Sequence, residues 1–487
     1  MSAAAGFDLA PDAAVDDGRR CWSRPELLAQ SEALADRFRA RGTRVVATLM
    51  DNSAAWVVAD LAAAQAGVVH VPLPLFFSAD QITHALAAAG VDSLLAPAIA
   101  ASRWPKAPAE ALVCADQQLV LVGLPVAPVP LPAQTAKITF TSGTTGAPKG
   151  VCLSAAGLRQ VSAGLVAALA PLQVRRHLCA LPFAVLLENV AGLMAPLAAG
   201  ATCIAPPLAE LGLSGSSGFD AARFQAAVER FEPNSIILLP QMLRAWAGHL
   251  QQTGARVPAS LRLVAVGGAA VGARLIQAAR AVGIPAYEGY GLSEGGSVQT
   301  LNLPSADYPG SAGRPLPHAR VRLAGDGEIQ IAGSLFVGYL GASEAPPRWW
   351  PTGDLGSFDA EGFLHVSGRK TNVLITAFGR NVSPEWVETA LRAEPVVAQA
   401  VVLGETQPAL SAVLWPVRPE VPDAALQAAV DAANVTLPDY ARIHRWTRAE
   451  ATFSAESGLA TTNGRPRRGA VLRLHAEALG LAETSTT

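Results

Sequence analysis

Apolar and polar positions come in blocks along the opening of the chain, and the blocks change period. Over residues 24–42 the apolar side chains return every three or four positions. That pattern predicts an amphipathic helix with Ser23 as N-cap, Pro25 in the first turn and Gly42 at its end. Residues 45–50 form a short apolar run that reads as a buried strand. Asp51-Asn52-Ser53 then turns the chain into a second helix, 54–66, closed by Gly67, and 68–73 is the next strand. Strand and helix in alternation predict a parallel sheet with helices on its faces. A Pro-rich stretch, 124–132, reads as a surface connection. Beyond it the same logic predicts helices at 155–169, 221–231 and 241–250, strands at 235–239 and 261–266, and a Gly/Ser-rich loop at 213–218.

Composition narrows the class. A chain of 487 residues, 51% hydrophobic and with net charge −2, is long enough for several packed cores. No basic run or basic–aromatic patch points to nucleic acid. The five cysteines (Cys21, Cys114, Cys152, Cys179, Cys203) are scattered, without C-x-x-C spacing, and the eight histidines form no ligand cluster along the chain. This argues against a disulfide framework or a zinc site, and predicts a reducing, cytoplasmic setting. The N-terminus, with Asp8, Asp12, Asp16 and Asp17, lacks the basic start of a signal peptide. Residues 190–208 carry no charge and approach spanning length. Gly192, Pro196, Gly200, Pro206 and Pro207 make them a buried helix–turn–strand unit rather than a membrane span.

Candidate chemistry concentrates in a few stretches. Thr141 to Gly150 holds four hydroxyls, three glycines and Lys149 directly after an apolar strand end. Glycines that tolerate positive φ let backbone N–H groups line a concavity, hydroxyls add donors, and the lysine adds a point charge: a phosphate cradle. It lacks the G-x-x-x-x-G-K-[ST] order of a P-loop NTPase, and a solvated Gly/Ser/Thr turn is the bland alternative. In Glu288-Gly289-Tyr290-Gly291-Leu292-Ser293-Glu294, Tyr290 offers an aromatic face, Ser293 a phosphate contact and Glu294 a hard oxygen ligand for Mg²⁺. Asp354, in Thr352-Gly353-Asp354, can accept from ribose hydroxyls or simply form a turn.

The order Thr141-Ser142-Gly143-Thr144-Thr145-Gly146-Ala147-Pro148-Lys149-Gly150 resembles the nucleotide-binding signature of the adenylate-forming enzymes, which include acyl-CoA synthetases, luciferases and the adenylation domains of peptide synthetases. Further stretches resemble that family in the same order: Gly267-Gly268-Ala269-Ala270, the Tyr290 motif, the Asp354 motif, Gly368-Arg369-Lys370-Thr371, and Gly464-Arg465. The resemblance implies an α/β fold: a large multi-subdomain N-terminal domain (1–367) of layered, mostly parallel sheets plus a small β subdomain, then a small mobile α+β C-terminal domain (368–487), hinged at Thr371. It implies ATP, Mg²⁺ and a carboxylic acid as reactants. The acid is joined to AMP with release of pyrophosphate, then passed to coenzyme A or to the phosphopantetheine of an acyl carrier protein. Thr141, Ser142, Gly143, Thr144, Thr145, Gly146 and Lys149 would cradle phosphates. Gly268, Ala269, Tyr290, Gly291, Ser293, Asp354 and Arg369 would bind the nucleotide. Glu294 would hold the metal, and Lys149, Glu294 and Arg465 would be catalytic.

Three departures matter. The hinge position, usually Asp or Lys in the family, is Thr371 here. The family's catalytic lysine stands where this chain has Arg465, and arginine is not its equivalent. Leu181, Pro182 and Glu188 match the long-chain acyl-CoA synthetase branch, but its histidine position is Val185. The apolar run around Val185 reads equally as core or as acyl-pocket wall; together with Glu188 and residues 236–239 it leans toward a fatty acid. A degenerate, non-catalytic binding protein is the reading from another class.

Overall fold

Caps set where the first helices begin and end. In the computed structural model, which describes residues 8–481 apart from 106, 142–147, 216–217, 343, 378–379 and 462–463, helix Arg24–Arg41 starts at Ser23. The Ser23 N–H and hydroxyl both donate to Glu26 Oε2, at 2.9 and 2.6 Å, and Gly42 closes the helix at φ 70°. Helix Ala54–Ala66 starts where Ser53 Oγ accepts from the Trp56 N–H at 3.2 Å, and ends at Gly67 with φ 69°. Both helices stand as the apolar pattern predicts, as do Ala155–Leu169 and Ala221–Phe231.

Two large sheets form the body. The first has eight strands with Val69–Pro72, Val45–Thr48 and Ser93–Ala96 parallel at its centre. The second has nine, and Thr202–Ile204, Arg176–Leu178, Ser235–Leu238, Leu263–Val266 and Ala286–Leu292 run parallel through its middle. Each sheet has its own hydrophobic cluster, and a third cluster lies between helix Arg24–Arg41, helix Ala54–Ala66 and helix Ala155–Leu169. Four antiparallel strands from Ala319 to Arg369 make a smaller sheet. A three-stranded sheet with helices Pro384–Arg392 and Asp423–Val435 forms the last unit, with its own core.

The 190–208 stretch is the helix–turn–strand unit expected. A π-helix, Glu188–Met194, runs into Ala195–Ala198 and then strand Thr202–Ile204. Ala155–Leu172 is long and apolar enough to cross a membrane by length and composition alone. Its Leu158, Val161, Ser162, Gly164 and Leu165 are buried against the rest of the fold.

One charged network sits wholly inside. Lys137, on the strand that leads to the phosphate loop, donates to Asp60 Oδ2 at 2.8 Å and to Asn189 Oδ1 of the π-helix at 2.5 Å. His70 Nδ1–H donates to Asp60 Oδ1 at 2.6 Å. Burial works against the Asp60 charge, but Lys137 and His70 outweigh it and hold the carboxyl below its ordinary range. The network fastens the phosphate-loop strand to helix Ala54–Ala66 and to the π-helix. Lys137→Ala strands a buried carboxylate, and we expect a loss of about 3–5 kcal/mol in denaturant unfolding. A loss under about 1 kcal/mol would mean that Asp60 is not held this way.

Candidate active site

The strands place the motif residues around one carboxylate. Asp354, on strand Trp350–Phe358, is the register partner of Arg369 on strand Leu364–Arg369, and Arg369 Nε reaches Asp354 Oδ1 at 2.7 Å. From the nine-stranded sheet, Tyr290 donates its hydroxyl to Asp354 Oδ2 at 2.7 Å. Thr352 shapes the turn: its Oγ1 accepts from the Asp354 N–H at 3.1 Å, and its carbonyl accepts from Arg369 at 3.1 Å. Each Asp354 oxygen thus has one partner and keeps one lone pair for a further donor, such as a ribose hydroxyl. Burial raises the Asp354 pKa, opposed by Arg369, the Tyr290 bond and Arg465. Tyr290 is pushed well above its usual range by burial and by the adjacent carboxylate.

Glu294 and Lys149 meet at Tyr339. Glu294 begins the turn after strand Ala286–Leu292, and its Oε1 accepts from the Tyr339 hydroxyl at 2.7 Å. Its other oxygen has no hydrogen-bond partner among the described residues, so one hard oxygen donor is held in place and open. Such an oxygen suits Mg²⁺. Lys149 Nζ lies 5.9 Å from the Tyr339 ring centroid. Thr141 and Lys149 are direct cross-strand partners, so the two ends of the phosphate loop are pinned side by side. Ser142, Gly143, Thr144, Thr145 and Gly146 lie outside the described residues. Pro148 is held from outside: His84 Nε2 donates to its carbonyl at 3.1 Å.

Arg465 comes from the last unit. It sits in a turn where the Thr461 N–H bonds the Arg465 carbonyl at 2.8 Å, and it lies within electrostatic reach of Asp354, Glu294 and Glu385. Desolvation and nearby Arg369 lower its very high pKa, and those three carboxylates oppose the drop. Gly291 cannot be anything else, since a Cβ there would stand 2.0 Å from the Ser297 carbonyl oxygen. Ser293 opens the turn beside Glu294. Gly268 is exposed with φ 81°, and Ala269 lines a cavity of about 60 Å³ between its loop and helix Pro384–Arg392, with Arg244, Thr389 and Arg392. These two thus face the junction with the last unit.

Glu188 turns away from the site. It has no exposed surface and its Oε1 lies 3.3 Å from His177 Nε2, so it belongs to the core side of the π-helix and not to a pocket wall. Leu187 and Ala191, one turn apart, are the half-buried residues there that touch both the central cluster and that of the nine-stranded sheet. The expectation that no metal-type ligands cluster is also overtaken: His177, Cys179 and Glu188 come together in space.

Sequence reasoning passed over four residues here. Tyr339 carries no signal of its own, and Thr352 is named only as part of the Asp354 motif, without a role. Glu385 bonds Asn372 and Ser383 at 2.6 and 3.0 Å and lies 3.4 Å from Arg468. Glu288, the first residue of the Tyr290 motif, is a buried carboxyl whose Oε1 accepts from the Val271 N–H at 3.2 Å and whose Oε2 has no partner. Burial pushes its pKa up to about 7. The folded form therefore holds a proton that the unfolded chain gives up near pH 4.5, and Glu288's contribution to stability is present below that pH and lost as pH rises toward 7. We expect Glu288→Gln to flatten the melting temperature between pH 5 and pH 8 relative to the parent. An equal fall in both proteins would refute the assignment.

Comparison with known proteins agrees with this geometry. The family model described as AMP-binding enzyme matches residues 7–340, and the AMP-binding enzyme C-terminal domain model matches 371–480. The chain is 40% identical to the long-chain-fatty-acid–CoA ligase FadD15 of Mycobacterium bovis over 31% of this chain and 26% of that protein, so it spans about a quarter of that relative. It is 30% identical to the feruloyl-CoA synthase of an Amycolatopsis species over 81% of this chain and 83% of the relative. Among solved structures, the o-succinylbenzoate coenzyme A synthetase MenE of Bacillus subtilis, in complex with ATP and magnesium ion, superposes with TM-score 0.71 at 25% identity, covering 91% and 94% of the two chains. The chain belongs to the AMP-binding enzyme family.

Proposed function

We propose that this chain joins a carboxylic acid to AMP at the expense of ATP and passes the acyl group to a thiol, most simply that of coenzyme A. The observation that carries the reading is Asp354, fixed at 2.7 Å by both Tyr290 and Arg369, with Arg465 within electrostatic reach of both Asp354 and Glu294. Asp354 accepts from the ribose, and the Tyr290 ring meets the purine. Lys149 and the loop 142–147 take the phosphates that leave. Glu294 Oε2 would hold Mg²⁺, whose charge offsets that of the phosphates. Arg465 neutralises the substrate carboxylate and the α-phosphate as they approach. The protein's contribution is to position the reactants and to oppose charge on oxygen.

The domain boundary at 367/368 and a hinge at Thr371 form part of this reading. Support comes from the contact between the units. Arg274 pairs with Glu394, and Arg244 donates to the Arg392 carbonyl. With Arg465 drawn over Asp354 and Glu294, this arrangement suits the adenylation half-reaction, and thiol attack then follows rotation of the small domain. The acid has an apolar body that lies along Leu187 and Ala191. With Glu188 turned inward, the lean toward a fatty acid loses a support, and the feruloyl-CoA synthase match over most of the chain favours testing aryl acids alongside fatty ones. Four buried thiols and a fifth, exposed cysteine, all free, fit work in a reducing cytoplasm. A carrier-protein thiol is the second acceptor to test.

Pyrophosphate–ATP exchange with a panel of fatty and aryl acids tests the reading without any thiol. Glu294→Ala abolishes exchange. Arg465→Ala lowers it about 10²–10³-fold, the loss typical of one transition-state charge contact, and Arg465→Lys restores most of it. Exchange that is unchanged in Arg465→Ala removes Arg465 from the machinery. A protein that exchanges with no acid at all overturns the assignment.

A further inference from the structure

Behind the wall made by Leu187 and Ala191, the fold gathers donors of a kind that the adenylation chemistry does not use. His177 lies on strand Arg176–Leu178, Cys179 follows it, and Glu188 opens the π-helix Glu188–Met194. One ligand atom from each lies within 4.8 Å of the others, and all three residues are buried. Strand alternation puts His177 and Cys179 on one face. On the next strand Cys203 is the register partner of His177. The Cys179 and Cys203 thiols both donate to the Gly192 carbonyl, at 3.6 and 3.5 Å. Gly192 leaves the cradle open: a Cβ there would stand 2.4 Å from Glu188 Oε1 and 2.8 Å from His177 Nε2.

Three features separate this cluster from an ordinary buried ion pair. The His177 Nε2 to Glu188 Oε1 distance is 3.3 Å, longer than the roughly 2.7–2.9 Å of a charge-assisted hydrogen bond. Two nitrogen or oxygen ligands on one tetrahedral zinc, each bonded at about 2.0–2.1 Å, stand about 3.3 Å apart. Glu188 Oε2 is buried with no hydrogen-bond partner, an expensive condition for a carboxyl unless something else satisfies it. Finally, His177 Nδ1 is fixed by Ser235 Oγ at 2.8 Å, the outer bond by which metal-binding imidazoles are oriented, leaving Nε2 aimed at the cluster.

We propose that His177, Cys179 and Glu188 form a buried site for one thiophilic divalent cation of the zinc class, with Cys203 beside it as a neutral thiol outside the ligand set. Imidazole and thiolate select such an ion over Mg²⁺ or Ca²⁺, so the site is chemically distinct from Glu294. Charge closes in the dry interior: a dication, one thiolate, one carboxylate and a neutral imidazole sum to zero. The Cys179 proton passes to solvent as the sulfur–metal bond forms during folding. The bound ion cross-links the π-helix to the middle of the nine-stranded sheet, and so fixes the helix that carries Leu187 and Ala191.

The closed site is loaded as the chain folds, so the test uses protein expressed in medium supplemented with zinc or cobalt, freed of any affinity tag and gel-filtered. We expect about one equivalent of zinc per chain, and a cobalt form with thiolate-to-cobalt charge transfer and tetrahedral d–d absorption. We also expect a higher melting temperature than for protein grown with a chelator. Cys179→Ser abolishes the charge-transfer band, while Cys152→Ser, at a buried thiol elsewhere, leaves it intact. Less than about a tenth of an equivalent of metal in the parent protein, or cobalt bound without a thiolate band, overturns the proposal. None of these readouts depends on acid activation, so this site stands or falls separately from the adenylation reading.

Discussion

A single buried carboxylate ties the parts of this protein together. Asp354 belongs to the four-stranded sheet, Tyr290 to the nine-stranded sheet, and Arg465 to the last unit; Tyr290 bonds Asp354 at 2.7 Å, and Arg465 lies within electrostatic reach of it. An unpaired carboxylate at that depth would take up a proton or draw in water. Arg369 and Tyr290 keep it aligned, and Arg465 adds positive charge without a direct bond. Sheets with separate cores are thereby held in register at the point where a nucleotide would lie. The geometry needs two strands running antiparallel, Asp354 across from Arg369, and the neighbouring Gly353 at φ 73° to aim the carboxylate.

The same arrangement explains why Lys149 and Glu294 have to come from different sheets. Lys149 leaves the eight-stranded sheet and Glu294 ends a strand of the nine-stranded one, so the cleft between the sheets is what a triphosphate would span. Tyr339 closes the gap, bonding Glu294 through its hydroxyl and facing Lys149 with its ring. Deeper in, Asp60 with Lys137 anchors the strand that delivers the loop. The rigid parts are buried and ion-paired, while Lys149 is exposed.

Much of this was legible in the sequence because local chemistry wrote it there. Ser23 with Glu26, Ser53, Gly42 and Gly67 mark helix ends by hydrogen bonds and backbone angles that need no tertiary partner. Tyr290 and Arg369 both bond Asp354, with Arg465 within electrostatic reach; the order of motifs names these candidates in the sequence but not how they bond. What escaped needs three dimensions. Tyr339 acts through Glu294, far away in sequence. The run around Glu188 reads equally as core or as pocket wall in the sequence, and its place in the core is set by His177 on a separate strand.

The π-helix bears on how this part of the interior is held. It sends every polar group in the segment inward, to His177, Lys137 and the Gly192 cradle, and presents Leu187 and Ala191 outward. On the proposed reading, in which the acid lies along Leu187 and Ala191, selectivity would rest on how firmly the π-helix is pinned to the sheet beneath it.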